Sequence, residues 1–454
     1  MKPSTNDTTI HIDHSSSKRV SFSDENHTNV EQQQQQHQQH QHNVPLLLQP
    51  SYSRSKFIII DELRNFRICL KWCALDHSSC AGKLISYGTF ILLTFVLPLF
   101  TTLFVQVSDA SPQDDPISLN KLVQIPESAL AIISFFALSR FFLRYGLRQL
   151  LFLDALQDDT TYVRRGYARE LQKAFRYLGY IILPSFFLEL AHKIIFFSAV
   201  KISAPNISAG FPLHSIVFVL MLISWLYRTG IYLLVCVIFR LTCQLQILRF
   251  EGVHKLFEGF GSEAGVIFKE HVRIRRQLWV ISHRYRFFII CCVVTMSVSQ
   301  LGALLLVLAS KSEKTFFNSG DLVICSAVQL SGFFLCILGA TKITHRAQGI
   351  VSIATRWHML VTNAFAESEQ CKDQMSDAVA SDSSDSDSSD IHISIIPQRL
   401  SSFHTRQSLV MYLQHNHGGI TLYGFSLDRG LIHTLFAFEF SIVLWILSKV
   451  VVLS

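Results

Sequence analysis

The end of the chain constrains the fold most. Residues 431–453 form an apolar run with few polar interruptions. At ~1.5 Å rise per residue, a helix of this length crosses a hydrocarbon core of ~30 Å. It lacks the polar face that a helix on the surface of a soluble domain keeps. Six other runs of the same character occur at 84–107, 127–147, 177–200, 213–239, 286–309 and 322–343. Only 16% of the 454 residues are charged and 49% are hydrophobic, whereas soluble domains are about a quarter charged. The pattern predicts an all-α, polytopic membrane protein with seven transmembrane helices, with the lipid bilayer as its first partner. Pro98 stands inside the first run as a tolerated kink.

The net charge of +7 is topological information rather than a nucleic-acid footprint, because the basic residues flank the spans. Nineteen Lys and Arg flank the spans on one side, in the stretches Arg64 to Lys83, Arg144 to Arg176 and Arg240 to Arg284. The other side holds Lys121, Lys201, Lys311 and Lys314. The positive-inside rule then puts the N-terminus in the cytoplasm and, after seven crossings, the C-terminus outside. Asn206-Ile207-Ser208 is a glycosylation acceptor in an outer loop, consistent with that orientation. None of the ten cysteines falls in an outer loop, which argues against a disulfide framework. The polar N-terminus carries no cleavable signal, so the first span would act as a signal anchor. Nothing in the sequence retains the chain in an inner compartment, so the plasma membrane is the default location, with endomembranes the alternative.

Five segments follow. Residues 1–56 form a disordered cytoplasmic tail with a Gln/His tract. Residues 57–83 form an amphipathic segment on the cytoplasmic face. Residues 84–365 carry spans one to six. The apolar spacing continues through 241–257, 263–285 and 344–365, predicting helices that project from the membrane. Residues 366–397 form an acidic Ser/Asp linker, and 398–454 a cytoplasmic helix and the seventh span. Ser21 follows Lys18-Arg19 and suits a basophilic kinase; the same five residues, Lys18 to Phe22, resemble a phosphatase docking peptide. Ser383, Ser384 and Ser386 suit an acidophilic kinase, the bland alternative being a solvated spacer. Cys69, Cys73, His77 and Cys80 share a helical face, but their spacing matches no standard zinc finger. Palmitoylation of Cys80 is the alternative, beside plain interfacial cysteines.

An inside N-terminus with seven spans reverses the topology of G-protein-coupled receptors. Span count, inverted orientation, long cytoplasmic helix extensions and the stretch Gly424-Phe425-x-Leu427-x-Arg429 before the last helix are similar to another group. The chain resembles the insect gustatory and odorant receptor superfamily, and more closely its plant gustatory-receptor-like relatives, over 57–454. That resemblance implies a homotetramer whose seventh helices line a central cation pore. It makes Glu439, Phe440, Val443, Ile446 and Leu447 the pore-lining candidates, with Ile446-Leu447 standing where the insect proteins carry Gln-Phe.

Ionisable residues inside spans are costly and face protein or water. Glu189, His192 and Lys193 on the third run, Arg228 on the fourth, Gln300 on the fifth and Gln329 on the sixth suggest a polar ligand cavity. Interhelical pairs that satisfy one another are the alternative, for Glu439 also. No span contains an Asp, no His-Glu-x-x-His occurs, and no Gly-rich phosphate loop is present, so no enzyme, metal or cofactor is expected. The reading is a ligand-gated cation channel or chemoreceptor taking a small-molecule ligand. Two alternatives stand: a non-conducting receptor or scaffold regulated by kinases and phosphatases, and a secondary transporter.

Overall fold

The computed structural model describes residues 68, 70, 71, 80–107, 116–202, 213–258, 263–309, 316–379, 391–416 and 418–452. The N-terminal tail, Ser21, Asn206, Ser383, Ser384 and Ser386 lie outside the described residues. The pre-span segment is represented by Ile68, Leu70 and Lys71, all helical, with Leu70 buried.

The elements are α1 (Cys80–Ile91), a π-helical turn (Leu92–Val96), α2 (Leu97–Phe104), α3 (Pro116–Arg144), α4 (Gly146–Leu150), α5 (Thr161–Ala199), α6 (Leu213–Glu258), α7 (Ala264–Ala309), α8 (Phe316–Val379), α9 (Ile391–His415) and α10 (Arg429–Val452). Two small antiparallel pairs accompany them. β1 (Val105–Val107) pairs with β2 (Val200–Ile202), tying the end of α2 to the end of α5. β3 (Thr421–Leu422) pairs with β4 (Phe425–Ser426).

Six stretches among the described residues are long and apolar enough to cross a membrane: Cys80–Thr101, Gln124–Arg144, Thr161–Ser198, Ser215–Glu258, Ala264–Ala303 and Gly320–Glu367. The chain is therefore a multi-pass, all-α membrane protein. α10 is not among the six, but its 24 residues correspond to about 36 Å of helix.

Helix length separates the two ends of the bundle. α5 has 39 residues, α6 and α7 have 46 each, and α8 has 64. A hydrocarbon core needs only about 20, and Asp159 with Arg249 and Arg273, and Phe257 with Trp357, bring the surplus lengths together at one end of the bundle. The expected extensions of the fourth, fifth and sixth runs are continuous with their spans. The extension of the third run, from Thr161, was not foreseen. α8 also runs to Val379, into the stretch that reads as an acidic linker. α9 then packs back along α8 and α7.

α6 is the hub, packing against α3, α5, α7 and α8. Residues 231–239 on it are all buried, which is why that stretch is apolar on every face. At Gly166 an added Cβ would lie 2.9 Å from Leu248 Cδ2, so glycine lets α5 approach α6 closely.

The Pro98 kink has an identifiable electrostatic solution. In the π turn the Leu97 N–H donates to Leu92 O, which passes over Leu93, and Pro98 has no N–H to offer Thr94. Both freed carbonyls accept from other helices. Ser224 Oγ on α6 donates to Leu93 O at 2.5 Å, and Ser128 Oγ on α3 donates to Thr94 O at 3.3 Å. In a bilayer no water would do this.

The approach to α10 follows from its sequence. α9 stops at His415, just before Gly418-Gly419. A Cβ at Gly418 would meet Ala347 Cβ at 3.1 Å and one at Gly419 would meet Thr344 Oγ1 at 3.1 Å, so the strand passes tight against α8. Tyr423 (φ 48) and Gly424 (φ 95) make the left-handed turn between β3 and β4. Leu427 is buried, and Asp428 Oδ1 accepts the Leu431 N–H at 2.8 Å, capping α10.

Candidate functional site

The candidate residues separate into two groups. The larger lies in the half of the bundle away from the helix extensions. Glu189 and Lys193, one turn apart on α5, face each other at 3.4 Å. Lys193 Nζ also donates to Asp321 Oδ2 at 2.5 Å, and His192 Nδ1 stands 2.5 Å from Asp321 Oδ1. All four residues are buried. Asp321 lies near the start of α8, so the expectation that no span contains an Asp is corrected. Placing the sixth span one residue too late, at 322, excluded the carboxylate that holds Lys193 and His192. Gly320 makes the contact feasible, since a Cβ there would lie 2.4 Å from His192 Cδ2.

Beside this cluster, Arg228 on α6 pairs with Glu127 on α3 at 3.2 Å and donates to Ser128 Oγ at 3.3 Å. Glu127 is within electrostatic reach of Lys193 and Asp321. Three carboxylates, two cations and the His192 imidazole thus share one buried network. Unpaired, each would cost several kcal/mol in such surroundings. Glu127 was passed over although it opens the second run: as the first residue of a span it reads as a boundary group rather than a buried partner. An isolated carboxylate at a span boundary, with Arg228 lacking a carboxylate within a turn on its own helix, was the available signal.

Glu189, His192 and Asp321 offer three ligand atoms within 4.8 Å of one another. Lys193 Nζ already stands in ion-pair contact with both carboxylates, so a fixed cation fills the place a metal would take.

A small cavity of about 20 Å³, room for about one water, lies against this network between α3, α6 and α8. Leu130, Trp225, Tyr232 and Val328 give it apolar and aromatic walls, and Glu127, Arg228 and Gln329 give it polar ones. Tyr232 Oη donates to Gln329 O at 2.8 Å, and Gln329 Nε2 to Cys325 Sγ at 2.7 Å. The Nε of Arg228 is buried with no hydrogen-bond partner among the described residues.

Gln300 belongs to the second group. It lies on α7 beside Glu439 of α10, and its amide nitrogen reaches Glu439 Oε2 at 2.6 Å in the orientation that satisfies both. Ser297 Oγ also donates to Glu439. Glu439 is buried within the protomer and Val443 is half-buried, whereas Phe440 is exposed. The side chains of Ile446 and Leu447 lie outside the described residues. Cys80 is exposed at the first turn of α1.

Long helices through a bilayer, common extension at one end, and a small cavity between α3, α6 and α8 define a class: multi-pass membrane proteins with the fold of insect olfactory receptors. The chain matches the olfactory receptor OR5 of Machilis hrabei in complex with eugenol at TM-score 0.53 and 13% identity, over 87% of this chain and 98% of that one. The structure described without eugenol matches at TM-score 0.53 and 12% identity, over 86% and 98%. Within that class the chain belongs to the DUF3537 family, described as proteins of unknown function, which matches residues 61–438. None of the curated proteins compared with the chain matches it.

Proposed function

We propose that this protein is a membrane chemoreceptor of the ligand-gated channel type, with its N-terminus in the cytoplasm, α10 as the seventh crossing and the plasma membrane as its site. The observation that carries the reading is the cavity against Arg228, in a fold shared with a receptor whose structure holds eugenol. The surrounding side chains must part to admit a ligand; the aromatic walls then suit a small, largely apolar molecule, and Arg228 Nε suits one hydrogen-bond acceptor on it. Four copies would assemble around α10, as the family resemblance implies. The exposed face of α10 then lines the centre. On it Gly430, Thr434, Ala437, Ser441, Leu444 and Ser448 recur at three- and four-residue spacing. Glu439 faces α7 instead, so no charged ring is expected.

Purified protein in a planar bilayer, under a panel of small phenols and other aromatics, tests this. Ligand-evoked cation current, weakened about tenfold or more in affinity by Arg228→Ala, supports it. A membrane silent to every ligand, with a monomer in detergent, removes it. The inward Glu439 and the mostly apolar or hydroxyl-bearing face of α10 favour one second reading. In that reading a non-conducting receptor binds the same ligands and signals through its cytoplasmic tails, and ligand binding without current would select it.

A further inference from the structure

A second cleft, of about 540 Å³ and open to solvent, lies at the end of the bundle where the long helices extend, between α5 and α6. Arg165, Arg169 and Lys173 line one wall. They recur every four residues, so their Cα atoms step about 6 Å along the helix. All three are exposed, and Arg176 continues the row toward the span. The floor is Leu248 and the far edge is Tyr162. The acidic groups nearby are already engaged. Glu251 accepts from Tyr162 Oη at 3.0 Å and from Arg346 Nη2 at 3.3 Å, and Glu170 pairs with Lys173 at 2.8 Å. Lys255 lies over the Tyr162 ring at 3.4 Å and adds a fourth cation beside the edge. The ligand-receptor reading uses none of these residues.

We propose that this cleft binds a polyphosphorylated headgroup of the inositol phosphate class. Three cations stepped at 6 Å suit several phosphates held at fixed separation on one ring. Arg offers each phosphate two parallel donors, which neither chloride nor a single carboxylate exploits as well. A row of Lys and Arg at the cytoplasmic end of a span is also where phosphorylated lipid headgroups are captured. The headgroup is lipid-borne or free; the lipid-borne source rests on the cytoplasmic orientation of this end, and the free one does not.

The test has two arms on the full-length protein in detergent. Free inositol hexakisphosphate is titrated calorimetrically, and short-chain phosphatidylinositol bisphosphate is followed by native mass spectrometry, with short-chain phosphatidylcholine as the blank. Binding is expected in one arm or both, and the arm that binds identifies the source. Arg165→Gln and Arg169→Gln should each lower affinity about fivefold. Glu170→Gln should raise it, because it frees Lys173. Lys269→Gln, exposed on α7 away from the cleft, should leave it unchanged and serves as the folding control. No binding in either arm, or equal loss in Lys269→Gln and the cleft variants, overturns the proposal.

Discussion

Asp159 holds Arg249 through two donors on a single carboxylate oxygen: Arg249 Nη2 reaches Oδ2 at 2.7 Å and Nε at 2.9 Å. Both side chains are about 1% exposed. Arg273 donates to the other oxygen, and Arg249 also reaches Gln277. Asp159 sits in the connection between α4 and α5, Arg249 on α6, and Arg273 and Gln277 on α7. One carboxylate therefore joins three segments at the end of the bundle where the long helices extend.

Removing that carboxylate leaves Arg249 buried without its counter-ion, which typically costs about 3–5 kcal/mol. Asp159→Ala is expected to lower the melting temperature of the detergent-solubilised protein markedly. The double variant Asp159→Ala with Arg249→Ala should lose less than the sum of the singles, since the stranded charge is gone. Additive losses would show that the pair does not act as a unit.

The carbonyls released by the π turn and Pro98 provide a second prediction. Ser224→Ala leaves Leu93 O without its donor inside the membrane, and Ser128→Ala does the same to Thr94 O. Each is expected to destabilise by about 1–3 kcal/mol. Ser224→Ala should cost more, because its bond is the shorter and its residue is fully buried. Thermal unfolding of both variants measures this; Ser352→Ala, exposed on α8 and bonded only within its own helix, is the comparison.

Gly320→Ala is predicted to be more harmful than an exposed glycine change. Its Cβ would fall 2.4 Å from His192 Cδ2 and 2.9 Å from Nε2, so the ring must move off Asp321. A loss of about 1–3 kcal/mol is expected from the overpacking. Gly88→Ala on α1, where nothing lies within 4 Å, should not destabilise.

Span positions and the continuous extensions of α6, α7 and α8 were legible because apolar periodicity is local information. The Gly418-Gly419 break was legible because glycine marks backbone that other residues resist; the sequence put the following turn at Asp428-Arg429, whereas the left-handed residues there are Tyr423 and Gly424. The site was half legible. Glu189, His192 and Lys193 stand out as ionisable residues in apolar sequence. Their partners Asp321 and Glu127 do not: Asp321 falls one residue outside its apolar run, and Glu127, the first residue of its run, reads as a boundary. Gln300 and Gln329 resemble each other in sequence yet serve different groups, since helix rotation about its axis is set by packing. The same limit applies to Glu439. Only the position of α7, which supplies Ser297 and Gln300, shows which way it points.

That orientation makes the last prediction. On α10, Ser441 Oγ donates to Ala437 O at 2.5 Å and Thr434 Oγ1 to Gly430 O at 3.0 Å, so both hydroxyls are satisfied within their helix while facing outward. A helix packed in this way presents Thr434, Ser441 and Ser448 to whatever lies at the assembly centre, and Val443 toward the protomer. Cysteines introduced at 434, 441 and 448 should react with a water-soluble thiol reagent if the centre is a hydrated pore, faster in the presence of an activating ligand. A cysteine at Val443 should stay protected, and Glu439→Gln should leave ion selectivity unchanged because that carboxylate is spent on Ser297 and Gln300. Reaction at 443 with protection at 441, or altered selectivity in Glu439→Gln, would place the opposite face of α10 on the ion path.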